Sequence, residues 1–347
     1  MIRFAWLQVR TNGLAAATAL VLLGVLAAIT GVHLSHLYSS DVAHCESGCG
    51  LALDQFLSHD TWLQHALDIT ARLVPALLGV FWGAPLISRE LDSGTYRLAW
   101  TQSVSRSRWV ATKLGVGAVS TVMVAGFLTL IITWWYRAID TTQQNQFQLF
   151  DRRDITPIAY ALFAFAVGAL LGAIIRRAVP AMAATLGVYI FTLVAATSWI
   201  RPHLLAAKRL VTGTADQPLG LTRSSGGAVS LVGKGAGPPN SWTLSSYVVD
   251  SSGRRPSSAA LSSWLQQHCP TLTLPPPSIG KEHIARVIGP DGPDACLTQA
   301  SQTFRIAVRY LPAGRYWTLQ WLETGIFTAL AIAAAGACYW WVTRRAR

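Results

Sequence analysis

The sequence is poor in charged residues, and in acidic ones above all. Asp, Glu, Lys and Arg make up 13% of its 347 residues, against roughly 25% in an average soluble protein. Lys and Arg outnumber Asp and Glu by 28 to 16, but the basic residues lie in loops and at the ends of apolar runs rather than in one stripe. This distribution argues against a nucleic-acid-binding protein and favours a membrane protein that is oriented by its basic loops.

The sequence also lacks the motifs of several enzyme classes. Residues 232–237 are rich in glycine, but Gly235 follows Lys234 where a P-loop requires Ser or Thr, and the upstream spacing differs. Neither HExxH nor GxSxG occurs, and no combination of Ser, His and carboxylate stands out as a triad. We therefore expect no enzyme activity, no ATPase site and no bound cofactor in this chain.

Six apolar runs are each long enough to cross a bilayer, which takes about 20 residues. They cover residues 14–32, 69–87, 114–135, 157–175, 178–200 and 319–342. The first run is longer than the core of a secretory signal peptide, so we expect a retained helix. The predicted fold is an all-α membrane protein with six transmembrane helices and a small extracytoplasmic, loop-rich α+β domain between helices 5 and 6.

The segment 201–316 differs in composition from the rest, because it is rich in Ser, Gly and Pro. Alternating apolar and polar residues predict a half-buried strand over 303–310, and residues 259–267 predict a short helix. We divide the chain into three parts. They are residues 1–200 with helices 1–5 and a cytoplasmic loop at 88–113, the extracytoplasmic domain 201–316, and residues 317–347 with helix 6 and a basic C-terminus.

The basic residues also predict the orientation in the membrane. The N-terminus, the loop 88–113, the turn at Arg176 and Arg177, and the C-terminus share one side of the six spans, and all are basic. The segment 33–65 on the other side contains no Lys or Arg. The positive-inside rule places the basic side in the cytoplasm. We expect a multi-pass plasma-membrane protein with both termini in the cytoplasm.

Four of the five cysteines lie on the predicted outer side, where disulfides persist. They are Cys45, Cys49, Cys269 and Cys296. We favour pairing of Cys45 with Cys49 and of Cys269 with Cys296, although four cysteines allow three connectivities.

The histidines near the first cysteine pair offer an alternative, a zinc or copper site. His33, His36 and His44 lie close in sequence to Cys45 and Cys49, and imidazole and thiolate at such spacings bind these metals. Because an extracytoplasmic cysteine pair more often forms a disulfide, we expect no metal site.

Few ionisable residues occur within the predicted spans. Asp68 and Arg72 are one helical turn apart, which predicts an interfacial ion pair. Glu323, near the outer end of the sixth span, is either an interfacial anchor or part of a substrate path.

Two spans carry glycines four residues apart. Gly79 and Gly83 lie in the second span, and Gly168 and Gly172 in the fourth. Such small-residue faces predict close helix packing.

The basic loop 88–113 is too polar to belong to either neighbouring span. Its charged residues are Arg89, Glu90, Asp92, Arg97, Arg106, Arg108 and Lys113, and apolar side chains lie between them. This pattern is typical of an amphipathic segment at a membrane surface, and Gly94 with Thr95 would break or cap it. From the residues alone, a lipid surface and a protein partner are equally good ligands for the loop.

The order SRELDSGTYRLAWTQSVSRSRW, residues 88–109, resembles the cytoplasmic loop of permease subunits of type-2 ABC exporters. The resemblance is closest to permeases of high-GC Gram-positive bacteria. Two further stretches are similar to that subgroup, residues 160–182 and residues 310–323. The resemblance therefore covers most of the membrane part and only loosely the segment 201–316.

The resemblance implies a six-helix half-transporter in a bacterial plasma membrane, which drives efflux with a second permease subunit, identical or paralogous. Separate cytoplasmic ABC ATPase subunits would bind ATP and Mg²⁺ and dock on the loop. The positions that match the coupling element are Arg89, Glu90, Gly94, Thr95, Arg97, Arg106 and Arg108. Two alternatives stay open: a signal- or force-transmitting membrane protein of the same architecture, and a membrane-anchored enzyme with its site in 201–316.

Overall fold

The computed structural model divides the chain into two compact units. We call them the membrane unit, Met1–Leu204 with Tyr316–Arg347, and the small unit, Leu205–Arg315. The residues that the structure describes are 2–43, 49–58, 61–92, 105–140, 146–213, 219–223, 229–233, 235, 237–268, 287–288, 300 and 302–345. The centre of the basic loop and three of the four predicted outer cysteines lie outside these ranges.

Helices dominate the membrane unit. In chain order the described α-helices are α1 (Ile2–Leu37), α2 (Cys49–Ser58), α3 (Thr61–Leu78), α4 (Pro85–Asp92), α5 (Arg106–Trp135), α6 (Arg137–Asp140), α7 (Thr156–Ile175), α8 (Ala178–Ala195), α9 (Ser258–His268) and α10 (Tyr316–Arg344). α9 belongs to the small unit. A π-helical turn, Gly79–Gly83, follows α3, and another, Ala196–Ile200, follows α8.

Six helical stretches of the described residues are long and apolar enough to cross a membrane, as predicted. Named TM1 to TM6 in chain order, they are Gly13–Ser40, Thr61–Asp92, Arg106–Trp135, Thr156–Ile175, Ala178–His203 and Ala313–Arg344. Most extend beyond the apolar runs. The helices can include polar residues such as Asp68, Lys113 and Arg201, because each of these side chains forms hydrogen bonds within the membrane unit.

TM4 is the most buried of these spans, and it contacts TM2, TM3, TM5 and TM6. Its residues are almost all apolar, and Ala161, Ala164, Ala169 and Ala173 are fully buried. A helix that is apolar on all sides is typical of a position inside a bundle.

The predicted glycine faces of TM2 and TM4 pack against each other. A Cβ atom on Gly79 would lie 2.7 Å from the Cβ of Ala164, and one on Gly168 would collide with the carbonyl oxygen of Gly79. A Cβ on Gly172 would likewise collide with the carbonyl oxygen of Ala84. The prediction of close packing is confirmed, because only hydrogen side chains allow the two backbones to come this near.

The described residues of the small unit form two antiparallel three-stranded sheets, with strand orders β1-β6-β4 and β3-β2-β5. The strands are β1 (Lys208–Thr212), β2 (Leu219–Arg223), β3 (Val229–Gly233), β4 (Trp242–Val249), β5 (Val287–Ile288) and β6 (Arg305–Leu311). Ile306 and Val308 of β6 form a core with Leu261 and Leu265 of α9. The predicted strand and short helix are both confirmed.

Replacement of Gly168 by Ala tests the close contact between TM2 and TM4. We expect Gly168→Ala to lower the free energy of unfolding by about 1–3 kcal/mol, since the methyl group overpacks a backbone contact. Gly187→Ala is the matched control, because a Cβ on Gly187 of TM5 has no heavy atom within 4 Å. Thermal unfolding of the detergent-purified protein measures both, and equal stability of the two variants would contradict the packing.

Candidate functional site

The two described ends of the basic loop are joined by a buried ion pair. Lys113 of α5 donates to the Glu90 carboxylate of α4, and its side chain is 5% exposed, against 11% for Glu90. The Lys113 Nζ atom is 3.4 Å from the carbonyl oxygen of Leu86 and 4.8 Å from the centre of the Trp109 ring. The ion pair therefore holds the end of α4 and the beginning of α5 against each other.

Apolar side chains surround the ion pair. Ile87, Trp109 and Val110 form one core cluster with Cys338 and Val342 of TM6. Ionised groups in such surroundings are costly to bury. Removal of one partner leaves the other charge without compensation and lowers the free energy of unfolding by about 3–5 kcal/mol. The ion pair therefore favours one arrangement of α4 against the start of α5.

The predicted coupling residues fall into three classes. Arg89, Arg106 and Arg108 have exposed side chains. Ser105 caps α5 by accepting a hydrogen bond from the backbone N–H of Arg108. Glu90 faces inward to Lys113. Gly94, Thr95 and Arg97 lie outside the described residues.

A second buried polar cluster lies at the other end of the membrane unit. The Arg201 Nε atom donates to the Glu323 carboxylate at 2.9 Å, and Arg201 Nη2 donates to the same carboxylate at 3.0 Å. The Tyr160 hydroxyl donates to Glu323 and accepts from Arg201 at 2.9 Å. The guanidinium also lies 4.6 Å from the centre of the Phe150 ring. TM4, TM5 and TM6 are thus tied together through Glu323.

Gln320 extends this cluster toward the segment that precedes TM4. Its side-chain oxygen accepts from the backbone N–H and the hydroxyl of Thr156. Its Nε2 atom donates to the Phe150 carbonyl at 3.0 Å and to the Tyr316 hydroxyl at 3.1 Å. Tyr316 in turn donates to Asp154. Every polar atom of this fully buried amide side chain has a partner.

The predicted pair of Asp68 with Arg72 is replaced by a different one. Asp68 accepts from Arg152, which lies 84 residues along the chain, and from the hydroxyl of Tyr136 at 3.4 Å. Burial and the Asp68 carboxylate raise the pKa of Tyr136 above its ordinary value, so the phenol stays protonated and can donate. Arg72 has an exposed side chain. Helical spacing does not predict Arg152 as the partner of Asp68, because Arg152 lies in a distant segment of the chain.

Glu323 is the predicted site residue whose surroundings the structure defines most fully. Its side chain is 3% exposed, and both carboxylate oxygens are engaged by Arg201. This is the arrangement of an anchor between spans. Its partners are not predictable from the sequence, because Arg201 follows an apolar run and falls within the predicted extracytoplasmic domain 201–316. The small unit starts only at Leu205.

An apolar groove of about 410 Å³ lies between TM1, TM2 and TM3. Its lining residues include Leu20, Leu23, Val74, Phe81, Trp82 and Leu128, and none of the lining side chains is charged. The one hydroxyl in the lining, on Thr70, bonds to the carbonyl of Ala66 in its own helix. The groove therefore suits hydrocarbon rather than polar groups.

Of the predicted disulfide residues, Cys49 takes part in a disulfide, and Cys45, Cys269 and Cys296 lie outside the described residues. A disulfide sulfur cannot serve as a thiolate ligand, so Cys49 is unavailable to the alternative metal site. Cys338 is a free, buried cysteine in TM6.

Residues 17–201 match the model of a protein family described as ABC-2 membrane transporter related. The matched region runs from TM1 to the end of TM5 and includes the basic loop. No curated protein and no solved structure matches the chain.

Single and double replacements of Arg201 and Glu323 test the second cluster. We expect Arg201→Gln alone to lower the free energy of unfolding by about 3–5 kcal/mol, because it leaves the Glu323 carboxylate buried without a cation. The double variant Arg201→Gln/Glu323→Gln should lose less than the sum of the single variants.

Thermal unfolding in detergent measures this coupling. Arg72→Gln serves as the control, since it removes an exposed arginine of TM2, and it should leave stability nearly unchanged. Strictly additive losses in the double variant would contradict the ion pair.

Proposed function

Because the chain belongs to the ABC-2 membrane transporter related family, we propose that this membrane permease is the translocating subunit of an ATP-driven exporter. It works with a second permease subunit and with separate cytoplasmic ATPase subunits that bind ATP and Mg²⁺. Its six spans lie in a bacterial plasma membrane with both termini and the loop 88–113 on the cytoplasmic side. The loop is the surface on which the ATPase docks.

The observation that carries this proposal is the buried pair of Glu90 with Lys113. A docking loop transmits a push only if its two ends are held to the spans they join. Here both ends are held to one another, so displacement of the loop moves TM2 and TM3 together. A stiff element of this kind is what conformational coupling between subunits requires.

The next step in transmission is the glycine contact between TM2 and TM4. Gly79 and Gly83 lie in a π-helical turn, where the backbone N–H of Ala84 donates to the carbonyl of Gly79 at 2.9 Å. Such turns are frequent at functional sites within helices. TM4 carries the displacement on to TM5 and TM6 through the cluster around Glu323.

Exposed arginines supply the docking chemistry. Arg89, Arg106 and Arg108 have exposed side chains near the two ends of the loop. Guanidinium groups bind carboxylates and carbonyl oxygens through several parallel hydrogen bonds, which suits recognition of an acidic groove on an ATPase. Glu90 acts differently, since it positions the loop through Lys113 instead of contacting the partner.

The apolar groove between TM1, TM2 and TM3 supports a substrate with a large hydrocarbon part. Its volume of about 410 Å³ falls in the usual range of small-molecule pockets, roughly 300–1,000 Å³. An amphiphile could lay its apolar part in this groove while its polar part stays near the membrane surface. The proposed substrate class is thus an amphiphilic drug-like molecule, peptide or lipid.

Affinity purification of the full-length chain from its native membrane tests the docking surface. We expect wild type to bring down an ATP-binding subunit, and Arg89→Ala/Arg108→Ala to recover about tenfold less, the effect of ~1.4 kcal/mol in binding. Arg137→Ala is the control, because this exposed arginine follows TM3 at the other end of the span. Recovery of no ATP-binding subunit with wild type would contradict the exporter assignment.

The same complexes test the positioning role of Glu90. Glu90→Gln keeps the side-chain shape and removes the charge, so we expect the ATPase to remain bound while its ATP turnover no longer responds to the permease. The double variant Glu90→Gln/Lys113→Met removes both charges and should recover part of the response. Normal turnover in Glu90→Gln would show that the ion pair has no part in coupling.

A further inference from the structure

One face of the sheet β1-β6-β4 in the small unit carries an unusual concentration of arginines. Arg305 and Arg309 lie two residues on either side of Ala307 in β6, and both are exposed. In the antiparallel register, Arg209 of β1 lies directly opposite Arg309, and Tyr247 of β4 lies opposite Ala307. Residues that face each other in this way project from the same side of a sheet. We call this side the arginine face.

A further arginine joins this face from the turn after β4. The Arg255 guanidinium lies 3.9 Å from the centre of the Tyr247 ring, and that of Arg209 lies 6.0 Å from the same ring. The aromatic ring attracts both cations and so holds them near each other. The opposite side of the sheet is the apolar core formed by Ile306 and Val308 with α9. The arginine face is therefore the side that α9 leaves open.

Like charges that lie directly opposite in a sheet repel each other. Among the described residues of the small unit, Asp250 is the one acidic residue. Its Oδ1 atom accepts from the backbone N–H groups of Ser252 and Arg254 at 2.8 and 3.0 Å, within its own turn. The described part of the unit thus offers the facing pair Arg209 and Arg309 no carboxylate, and a bound anion would relieve their repulsion.

The chain connections indicate where such an anion comes from. Four residues separate His203, the last residue of TM5, from Lys208 at the start of β1, and Pro312 alone separates β6 from TM6. A linker of this length reaches at most about 17 Å. Because β1 and β6 are antiparallel, both links lie at the same end of the sheet, and they tether the strands that carry Arg209, Arg305 and Arg309 close to the lipid headgroups.

We propose that the arginine face binds the phosphate of anionic phospholipid headgroups at the membrane surface. A guanidinium group can donate two parallel hydrogen bonds to the oxygens of one phosphate. Each further arginine on the same surface strengthens the electrostatic attraction to an anionic bilayer. Binding would hold the small unit against the membrane and make its position depend on the lipid composition. This role is independent of ATPase docking, because it involves only residues of the small unit.

The test is a titration of the full-length chain in neutral detergent with short-chain phosphatidylglycerol, and with phosphatidylcholine of the same chain length. Wild type should bind phosphatidylglycerol more tightly, and this preference should weaken with salt. Arg305→Gln/Arg309→Gln should bind phosphatidylglycerol roughly tenfold more weakly or worse. Lys208→Gln/Arg315→Gln is the matched control, since it removes two exposed charges of the same unit from outside the arginine face and should bind like wild type.

A second variant guards against a local folding defect in β6. Arg209→Gln/Arg255→Gln removes two charges of the same face from other elements and should reproduce the loss. The proposal is overturned if both arginine variants bind like wild type, or if the control loses as much affinity as they do. It is also overturned if inorganic phosphate displaces the lipid at constant ionic strength, because that result would identify a soluble phosphate ligand.

Discussion

The membrane unit depends on the backbone contact between TM2 and TM4. TM4 contacts four other spans. In its contact with TM2, Gly79, Gly83, Gly168 and Gly172 let carbonyl oxygens and Cα atoms approach without side chains between them. Helices in lipid gain little from hydrophobic burial against each other, so close packing and polar contacts must supply the specificity. The glycines provide the first of these, and the buried polar contacts provide the second.

The polar clusters tie different spans at the two ends of the unit. Glu90 and Lys113 join TM2 to TM3 at one end, and Asp68 joins TM2 to the Tyr136 hydroxyl just beyond TM3 at the other. Glu323 joins TM4, TM5 and TM6. TM2 and TM3 are therefore fastened to each other at both ends. TM2 contacts TM4 at the glycines, and Ile87, Trp109 and Val110 contact Cys338 and Val342 of TM6. A push on the basic loop can therefore reach the bundle through both TM4 and TM6.

Sequence alone predicts those features that depend on short stretches of chain. Run length is enough for the six spans, the four-residue spacing reveals Gly168 and Gly172, and alternation reveals the strand around Val308. The ion pairs depend on distant residues. Lys113 is 23 residues from Glu90, and Arg201 is 122 residues from Glu323, so no local period connects them.

The predicted pairing of Asp68 with Arg72 is wrong for the same reason. Helical spacing offers a candidate one turn away, whereas the folded chain brings in Arg152 from the segment between TM3 and TM4. Arg201 shows the complementary case, since a charged residue after an apolar run reads as the start of a loop. Only its bonds to Glu323 and Tyr160 place it with TM5.

A photocrosslinking amino acid at Thr95 in the native membrane tests whether the basic loop contacts an ATPase. The same probe at Ser252, in the turn after β4 of the small unit, controls for the side of the membrane. We expect the probe at Thr95 to capture an ATP-binding subunit and the probe at Ser252 to capture none. Capture of lipid alone from Thr95, or of the ATPase from Ser252, would contradict it.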